Sequence, residues 1–99
     1  MAIPNTLWSL KNLKFLDMSN NKIGSQKVEG AYLSEAIADC EQLVEFHASG
    51  NYLTSVPQSL GDLKYLEVLD LKDNKIQSLP DRFGNLHRLL KLFMDGNCL

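Results

Sequence analysis

One eleven-residue pattern, L-x-x-L-x-L-x-x-N-x-L, returns four times along this chain and constrains its fold more than any other feature. The pattern is complete in residues 66–76, and the same frame starts again at Leu13, Leu43 and Leu89, with other apolar residues at some leucine positions. Its asparagines lie 30, 23 and 23 residues apart. Self-similarity at a period of about 20–50 residues is typical of chains that stack one small unit on the next.

The three prolines fall in the same frame, because each follows an aliphatic residue at the point where the chain leaves one copy of the pattern: Pro4, Pro57, Pro80. Residues 3–12 match the corresponding stretch of the later repeats and form the return half of a partial repeat. We predict one repeat domain over residues 1–99, with repeats that start near residues 13, 43, 66 and 89. Because neither end carries a polar capping unit, we expect this domain to be part of a longer array.

Short strands are predicted at the alternating part of each pattern, because residues two apart in a strand point to the same face. Each strand is followed by a return segment and then by the same strand again. Such crossover connections make neighbouring strands parallel. The predicted strands are 15–18, 45–48, 68–71 and 91–94.

The return segments between the strands differ in length. The two 23-residue repeats leave room only for a 3₁₀ or single-turn element, which we predict near 58–63 and 81–86. Four apolar residues of the 30-residue repeat recur at helical spacing: Leu33, Ala36, Ile37, Cys40. This spacing predicts a helix over 32–39. The seven additional residues, within 24–30, are expected to bulge on the outer face.

Composition and charge exclude several classes of partner. The chain has a formal net charge of −2 and no basic run, which argues against nucleic acid and against an anionic membrane surface. No apolar run approaches the ~20 residues that a membrane span requires. The first residues have neither a charged region nor a long apolar stretch, so we predict no secretory signal.

The two cysteines, Cys40 and Cys98, are predicted to be free thiols. They lie two repeats apart, and two strand spacings of ~4.8 Å exceed the ~7 Å between Cα atoms that a disulfide tolerates. Free thiols favour a reducing compartment, and the absence of an Asn-x-Ser/Thr sequon agrees with that. We therefore predict an intracellular, cytoplasmic location.

The recurring residues have separate structural tasks. The leucine positions are predicted to stack into one continuous apolar core that includes Cys40, whereas Cys98 occupies an outward position. Trp8 either packs over the open first layer or contacts a preceding repeat or a partner. An asparagine side chain both donates and accepts hydrogen bonds, so it can serve backbone groups of a turn in its own repeat and of one in the next. We predict a structural ladder of Asn21, Asn51, Asn74 and Asn97.

These residues resemble the leucine-rich repeat family over essentially the whole chain. Residues 66–80 are similar to the 23-residue typical class, and residues 33–43 are similar to the longer, helical class of ribonuclease inhibitor. The resemblance implies an α/β fold, a right-handed solenoid with short parallel strands on its concave face. It implies one helix and short 3₁₀ turns on the convex face. It also implies a protein-binding role and no chemistry.

If the strands stack in phase, the side chains between the buried leucines form columns on the concave face. These columns are mostly acidic, with one aromatic residue at each flank. Acidic surfaces with aromatic anchors suit a basic or Arg-bearing segment of a protein. The predicted partner-binding residues are Phe15, Asp17, Glu45, His47, Val68, Asp70, Lys72, Lys91, Phe93 and Asp95.

His47 is the residue of this face for which metal binding and catalysis are the alternatives to a role in protein binding. Its strand neighbours are predicted to be Asp17 and Asp70, and opposite charges ~4.8 Å apart attract. One histidine and two carboxylates on an open sheet lack the enclosure of a metal site. An Asp–His pair also lacks an aligned nucleophile, since Ser49 lies two residues along the same strand. We predict no catalytic residue, no metal and no cofactor.

The sequence therefore predicts a non-enzymatic scaffold module that binds a protein through its concave face and takes no small-molecule substrate. The alternative is a structural or regulatory segment of a larger multidomain enzyme, receptor or assembly. Both hypotheses use the same surface, and the repeat pattern does not identify the partner.

Overall fold

Four short parallel strands form one sheet. The computed structural model describes residues 5–23 and 33–99 of the chain. Within these residues every neighbouring pair of strands is parallel. The strands follow one another across the sheet in chain order and are β1 (Phe15–Asp17), β2 (Glu45–His47), β3 (Val68–Asp70) and β4 (Lys91–Phe93). The prediction of four parallel strands is confirmed, although each strand is one residue shorter than predicted.

A short 3₁₀ helix precedes each of the four strands. The helices stack on the convex side, because each contacts the next one along the chain. They are η1 (Asn5–Ser9), η2 (Glu35–Asp39), η3 (Gln58–Asp62) and η4 (Asp81–Asn85). The elements predicted near 58–63 and 81–86 are therefore confirmed as 3₁₀ helices.

The longer helix predicted over 32–39 is wrong, because the described residues 33–39 contain only the five-residue 3₁₀ helix η2. Ser34 caps its start by accepting a hydrogen bond from the N–H of Ala36 at 3.0 Å, and the chain leaves the helix at Cys40. Over so short a stretch, periods of 3.0 and 3.6 residues place the same apolar side chains on one face, so their spacing does not distinguish the two helix types. The predicted bulge within 24–30 lies outside the described residues.

The leucine positions form a single core between the sheet and the 3₁₀ helices. Leu43, Leu66 and Leu69 are fully buried, and Phe46 fills the equivalent position on β2. At roughly 25 cal/mol per Å² of apolar area, this burial is the main stabilising contribution to the fold.

Trp8 and the two cysteines lie where the repeat frame puts them. The ring of Trp8 is buried in the core, so it takes the first of its two predicted roles and packs within this chain. Cys40 is fully buried and Cys98 is exposed, and both are free thiols, as predicted.

On the convex side, a polar side chain of one 3₁₀ helix caps the start of the next. The carboxylate of Glu35 in η2 accepts hydrogen bonds from the N–H groups of Gln58 and Ser59 in η3, at 3.0 and 3.1 Å. The side-chain oxygen of Gln58 accepts one from the N–H of Arg82 in η4, at 3.3 Å. These bonds satisfy backbone donors that the first turn of a helix leaves without a partner.

Close packing of η3 against η4 depends on a glycine. A Cβ at Gly61 would overlap the backbone carbonyl of Arg82, whereas a Cβ at Gly84, the same repeat position in η4, would meet open space. The two glycines therefore differ in what they do for the fold, although the sequence pattern is the same around both.

A column of left-handed residues follows the strands. The four residues have φ values of 60°, 67°, 57° and 76° and are Asn20, Gly50, Asp73 and Gly96. A Cβ at Gly50 would overlap the carboxamide oxygen of Asn20, and one at Gly96 would overlap the carboxylate of Asp73. We call each repeat of the solenoid a coil. The polar side chain of one coil thus occupies the space that the glycine of the next coil leaves free.

Candidate functional site

The asparagines that end the repeats bond to backbone groups of two coils. Asn74 is buried; its Oδ1 accepts from the N–H of Leu53 at 3.1 Å, and its Nδ2 donates to the carbonyls of Ala48 and Leu71, each at 3.0 Å. Asn51 bonds in the same way. The predicted second partner, a turn in the next repeat, is wrong. The asparagine bonds to the preceding coil instead, because the N–H of Leu53 points toward the coil that follows it.

The end members of this ladder are less buried. Asn97 is half-buried, with its Oδ1 accepting from the N–H of Ile76 at 3.0 Å and its Nδ2 donating to the carbonyl of Met94 at 2.8 Å. Asn21 is also half-buried, and its Nδ2 donates to the carbonyl of Ser19 at 3.2 Å. Because Nδ2 of Asn97 also donates to the carbonyl of Leu71, at 2.9 Å, Asn97 makes the same three bonds as Asn74 and differs from it in burial.

The predicted concave residues stand in register on the four strands. One column runs through the Cα partners Phe15, Glu45, Val68 and Lys91. The next column runs through Asp17, His47, Asp70 and Phe93. Backbone hydrogen bonds from Gly50 to Lys72 and from Asp73 to Asp95, at 2.9 and 2.8 Å, continue the register past the strands. We call the ten predicted partner-binding residues the concave surface: Phe15, Asp17, Glu45, His47, Val68, Asp70, Lys72, Lys91, Phe93 and Asp95.

Asp70 lies at the centre of a charged network on the concave surface. Its Oδ2 lies 3.5 Å from Nδ1 of His47 and 3.6 Å from Nζ of Lys72, while Nε2 of His47 lies 3.5 Å from the carboxylate of Glu45. His47 therefore lies between two carboxylates, but the second is Glu45 rather than the predicted Asp17. Residues i and i+2 of a strand share a face, so Glu45 on the same strand competes with Asp17 on the neighbouring strand for contact with the imidazole of His47.

An exposed aromatic ring borders each end of this network. Phe15 is 55% exposed, and its ring centroid lies 5.4 Å from that of His47. Phe93 is 39% exposed, and Nζ of Lys72 lies 5.3 Å from its ring centroid. The contacts thus continue from Phe15 on β1, through the charges around Asp70, to Phe93 on β4.

Asp17 is an exposed carboxylate at the β1 end of the concave surface. Its pKa lies below the usual value of 3.8, chiefly because its carboxylate accepts a hydrogen bond from the backbone N–H of Ser19, at 3.0 Å, and further because of the Ser19 hydroxyl. Partial burial opposes this shift of the pKa, and the charge of His47 adds to it. Asp17 is therefore ionised at neutral pH.

Sequence reasoning left two serines out of this site. Ser19 and Ser49 lie in the column that supplies Lys72 and Asp95, and the Ser49 hydroxyl donates to that of Ser19 at 3.1 Å. Their position in the repeat was the signal that could have placed them there.

Other chemistry finds little support in the part of the chain that the structure describes. Burial, with the charge of Asp39 second, raises the pKa of the Cys40 thiol above its usual 9.0, so the thiol stays protonated. No three His, Cys, Asp or Glu side chains among the described residues are placed to hold a metal ion. In residues 5–23 and 33–99, no helix is long and apolar enough to cross a membrane.

Comparison with known proteins agrees with the repeat pattern. A family model described as "Leucine rich repeat" matches residues 35–99, and a second leucine-rich repeat model matches residues 12–31. The chain is 39% identical over 98 residues to the leucine-rich repeat and calponin homology domain-containing protein 1 of Mus musculus; the match includes 99% of this chain and 12% of that protein. Five curated relatives are much longer proteins, since the chain spans 4% to 24% of their length.

Solved structures share the fold. A leucine-rich repeat protein of Leptospira interrogans superposes with a TM-score of 0.87 at 33% identity, over 98% of this chain and 23% of that one. The plant peptide hormone receptor RGFR1, solved in complex with RGF2, superposes with a TM-score of 0.81 at 26% identity, over 98% of this chain and 15% of that one. With this fold and a family model that matches most of its length, the chain belongs to the leucine-rich repeat family.

Proposed function

We propose that this chain is a protein-interaction module whose concave surface binds an extended segment of a protein partner. Leucine-rich repeat domains are generally interaction modules, and the peptide hormone receptor with this fold was solved in complex with RGF2. The observation that carries the proposal is the pair of exposed rings, Phe15 and Phe93, at the two ends of one continuous network of charges.

The exposed rings supply the apolar part of such a site. Aromatic residues dominate the binding energy of protein interfaces, because they bury a large area with few rotatable bonds. Phe15 and Phe93 leave 55% and 39% of their surface in solvent, so a partner that covers them removes apolar area from water.

The charges between the rings favour a basic partner. Four carboxylates face two lysines on the concave surface: Asp17, Glu45, Asp70, Asp95, Lys72, Lys91. The ion pairs within the network have separations of 3.5–3.6 Å, and the side chain of Lys72 is 41% exposed, so these pairs contribute little stability and exchange readily. An arginine can instead form two short, parallel hydrogen bonds to one carboxylate, so we infer an Arg-bearing segment.

The spacing of the strands sets the length of the segment. From β1 to β4 there are three strand spacings of ~4.8 Å, or roughly 14 Å. An extended chain advances ~3.3 Å per residue, so about five residues cross the concave surface from Phe15 to Phe93. We therefore propose a short motif with apolar residues at both ends and arginine between them.

Selection from a phage-displayed library of random peptides tests this function. The unmodified chain is expected to enrich peptides that carry arginine between apolar residues, whereas the double variant Phe15→Ala, Phe93→Ala is expected to enrich none. Tyr52→Ala, which removes an aromatic ring of similar exposure outside the concave surface, serves as the control and should keep the selection unchanged. Equal enrichment by the chain and the double variant would contradict binding at the concave surface.

The second candidate function is that of a structural or regulatory segment within a larger protein. It is favoured by the small share of the relatives' length that the chain spans, and one relative is named for an additional calponin homology domain. If the chain has only a structural role there and its concave surface binds no partner, a longer protein that contains the chain keeps its partners when Phe15 and Phe93 are both replaced by alanine. Affinity capture with that longer protein, with and without the two substitutions, distinguishes the two functions.

We also propose an intracellular, cytoplasmic location. The fold itself does not decide the compartment, since a peptide hormone receptor shares it. The two free thiols, one of them exposed at Cys98, support a reducing compartment. Fluorescence microscopy of the tagged chain should show it in the cytoplasm, and a secreted product would contradict this location.

A further inference from the structure

We propose that His47 makes partner binding at the concave surface depend on pH. The surface holds an Arg-bearing partner while the imidazole is neutral and releases it when the imidazole takes up a proton. This inference rests on the proposed function, because it concerns how the same surface lets its partner go. His47 lies on β2 and its neighbour Asp70 on β3, the two central strands of the sheet, so a neighbouring strand borders each of them on both sides.

Each ring nitrogen of His47 faces a carboxylate. Nε2 lies 3.5 Å from Oε2 of Glu45, and Nδ1 lies 3.5 Å from Oδ2 of Asp70. A neutral imidazole carries one N–H and one lone pair, so it can donate to only one of these carboxylates. A protonated imidazole carries two N–H groups and can donate to both at once. The ring therefore bridges the two carboxylates only in its charged form.

The imidazole and the two carboxylates are partly shielded from water. The side chain of His47 is 24% exposed, that of Asp70 is 11% exposed and that of Glu45 is 40% exposed. Salt screens charges in partly buried positions less than charges in open solvent. A proton on His47 therefore acts on these carboxylates with less screening than a proton on a fully exposed histidine.

Two further charged groups face this cluster. Among the described residues they are the carboxylate of Asp17 on β1 and the ammonium of Lys72 on β3. With Glu45 and Asp70 included, three negative charges and one positive charge give a sum of −2 around a neutral His47 ring and −1 around a protonated one. Uptake of one proton thus halves the negative charge that attracts a basic partner.

The histidine places this change near neutral pH. Histidine is the side chain whose charge ordinarily changes between about pH 5 and 8. Asp17 does not change charge there, since its pKa lies below the usual value of 3.8. His47 is one of two histidines in the chain, and the other, His87, is exposed and is not part of the concave surface. Replacing each histidine in turn therefore separates the effect of His47 from that of the rest of the chain.

A protonated His47 and an arginine of the partner compete for the same carboxylate oxygens. The arginine that we propose for the partner needs a carboxylate that can accept two parallel hydrogen bonds. A protonated ring donates to Glu45 and to Asp70 and leaves fewer acceptor positions for the arginine. By linkage, a partner that prefers the neutral ring expels a proton when it binds a protonated one. Binding should therefore weaken as the pH falls, and it should release protons.

Isothermal titration calorimetry with the peptide Leu-Arg-Ser-Arg-Leu tests this inference. The peptide carries an acetyl group and an amide at its ends, so it has no titratable group in this pH range. The dissociation constant is expected to rise about tenfold between pH 7.5 and pH 5.5, within the limit of tenfold per pH unit that one linked proton sets. Titrations at pH 6.5 in two buffers of different ionisation enthalpy should show that peptide binding releases protons.

Two histidine variants assign the effect. His47→Gln keeps a polar side chain but takes up no proton, so its dissociation constants at the two pH values should be nearly equal. His87→Gln is the matched control, because it removes the other histidine of the chain, and it should keep the full change. Circular dichroism at both pH values establishes that the chain and its variants are folded.

The outcomes separate this inference from the proposed function. Equal dissociation constants at pH 7.5 and pH 5.5 overturn the inference and leave the proposed function standing, and so does a change that survives in His47→Gln. Absence of binding at pH 7.5 contradicts the proposed function and the inference with it. If His47→Gln neither folds nor binds, the NMR signals of the His47 ring decide: at pH 6.0 the peptide must shift them toward the neutral form, and unchanged signals overturn the inference.

Discussion

The buried ladder and the concave surface lie two residues apart along the chain, yet they are held together very differently. Asn74 makes hydrogen bonds of 3.0–3.1 Å in a buried site. The charged groups around Asp70 lie 3.5–3.6 Å apart, and most of them are partly exposed. Short buried bonds fix the stack of coils, whereas long exposed pairs leave the neighbouring side chains free to change partners.

This difference teaches that the columns that stabilise the fold adjoin the columns that we propose for partner binding. Substitutions in the buried columns should lower the free energy of unfolding, and substitutions on the concave surface should change binding with little effect on unfolding. The effect of a substitution on stability should therefore decrease from the core, through the asparagine ladder and the convex side, to the concave surface.

The largest effect is expected for Leu69→Ala. Leu69 is fully buried in the centre of the core, so the substitution removes apolar contacts and leaves a cavity that costs about 2–5 kcal/mol of unfolding free energy. Val68→Ala is the control, because Val68 is only half-buried and points to the concave surface, where the loss should be below about 1.5 kcal/mol. Urea denaturation measures both, and equal losses would contradict the separation.

Asn74→Ala is expected to cost about 3 kcal/mol, near the upper value for leaving a buried group without its partner, because several backbone groups lose theirs together. Asn97→Ala should cost less, since Asn97 is half-buried and water can replace its side chain. Thermal unfolding of the two variants side by side measures the difference. A larger loss for Asn97→Ala would show that the ladder does not depend on burial.

The third effect comes from the two glycines of the convex side. Gly61→Ala places a Cβ against the carbonyl of Arg82, so we expect a loss of about 1–3 kcal/mol from overpacking. Gly84→Ala meets open space and should be neutral or slightly stabilising, because alanine restricts the unfolded chain. Denaturant titrations compare the two, and identical results would mean that η3 and η4 are less tightly packed than described.

The smallest effect is expected for Asp17→Ala on the exposed concave surface. A folded-state pKa below 3.8 stabilises the fold at pH values above 3.8, and this contribution is lost as the pH falls through the folded-state pKa. The thermal midpoints of the chain and the variant should therefore differ slightly at neutral pH and converge in acid. Asp17→Asn, which keeps a side-chain oxygen for Ser19, should lie between them; a difference that grows in acid would contradict this assignment.

The strands and the ladder were predictable because they depend only on spacing. Intervals of 23 and 30 residues place Asn51 next to Asn74 whatever the return segments do, and the leucines fix which side of each strand is buried. The same reasoning predicted that His47 lies beside Asp70. In the structure Nδ1 of His47 lies 3.5 Å from Oδ2 of Asp70. Register along a sheet is thus readable from sequence when the repeat is regular.

Features that depend on helix type or on the choice between near neighbours could not be read in this way. The apolar spacing around Ile37 fits both an α-helix and a 3₁₀ helix, and the packing of adjacent coils selects the shorter element. The pairing of His47 with Glu45 rather than Asp17 depends on side-chain rotamers, which spacing does not specify. Whether the concave surface binds a partner remains a prediction.

The left-handed column after the strands has a consequence for rebuilding the protein. Its members alternate between a residue with an amide or acid side chain and a glycine: Asn20, Gly50, Asp73, Gly96. A single inserted coil would bring two side chains, or two glycines, into contact at one junction. Coils copied in pairs keep the alternation intact, so a lengthened version of this protein should be built in units of two coils.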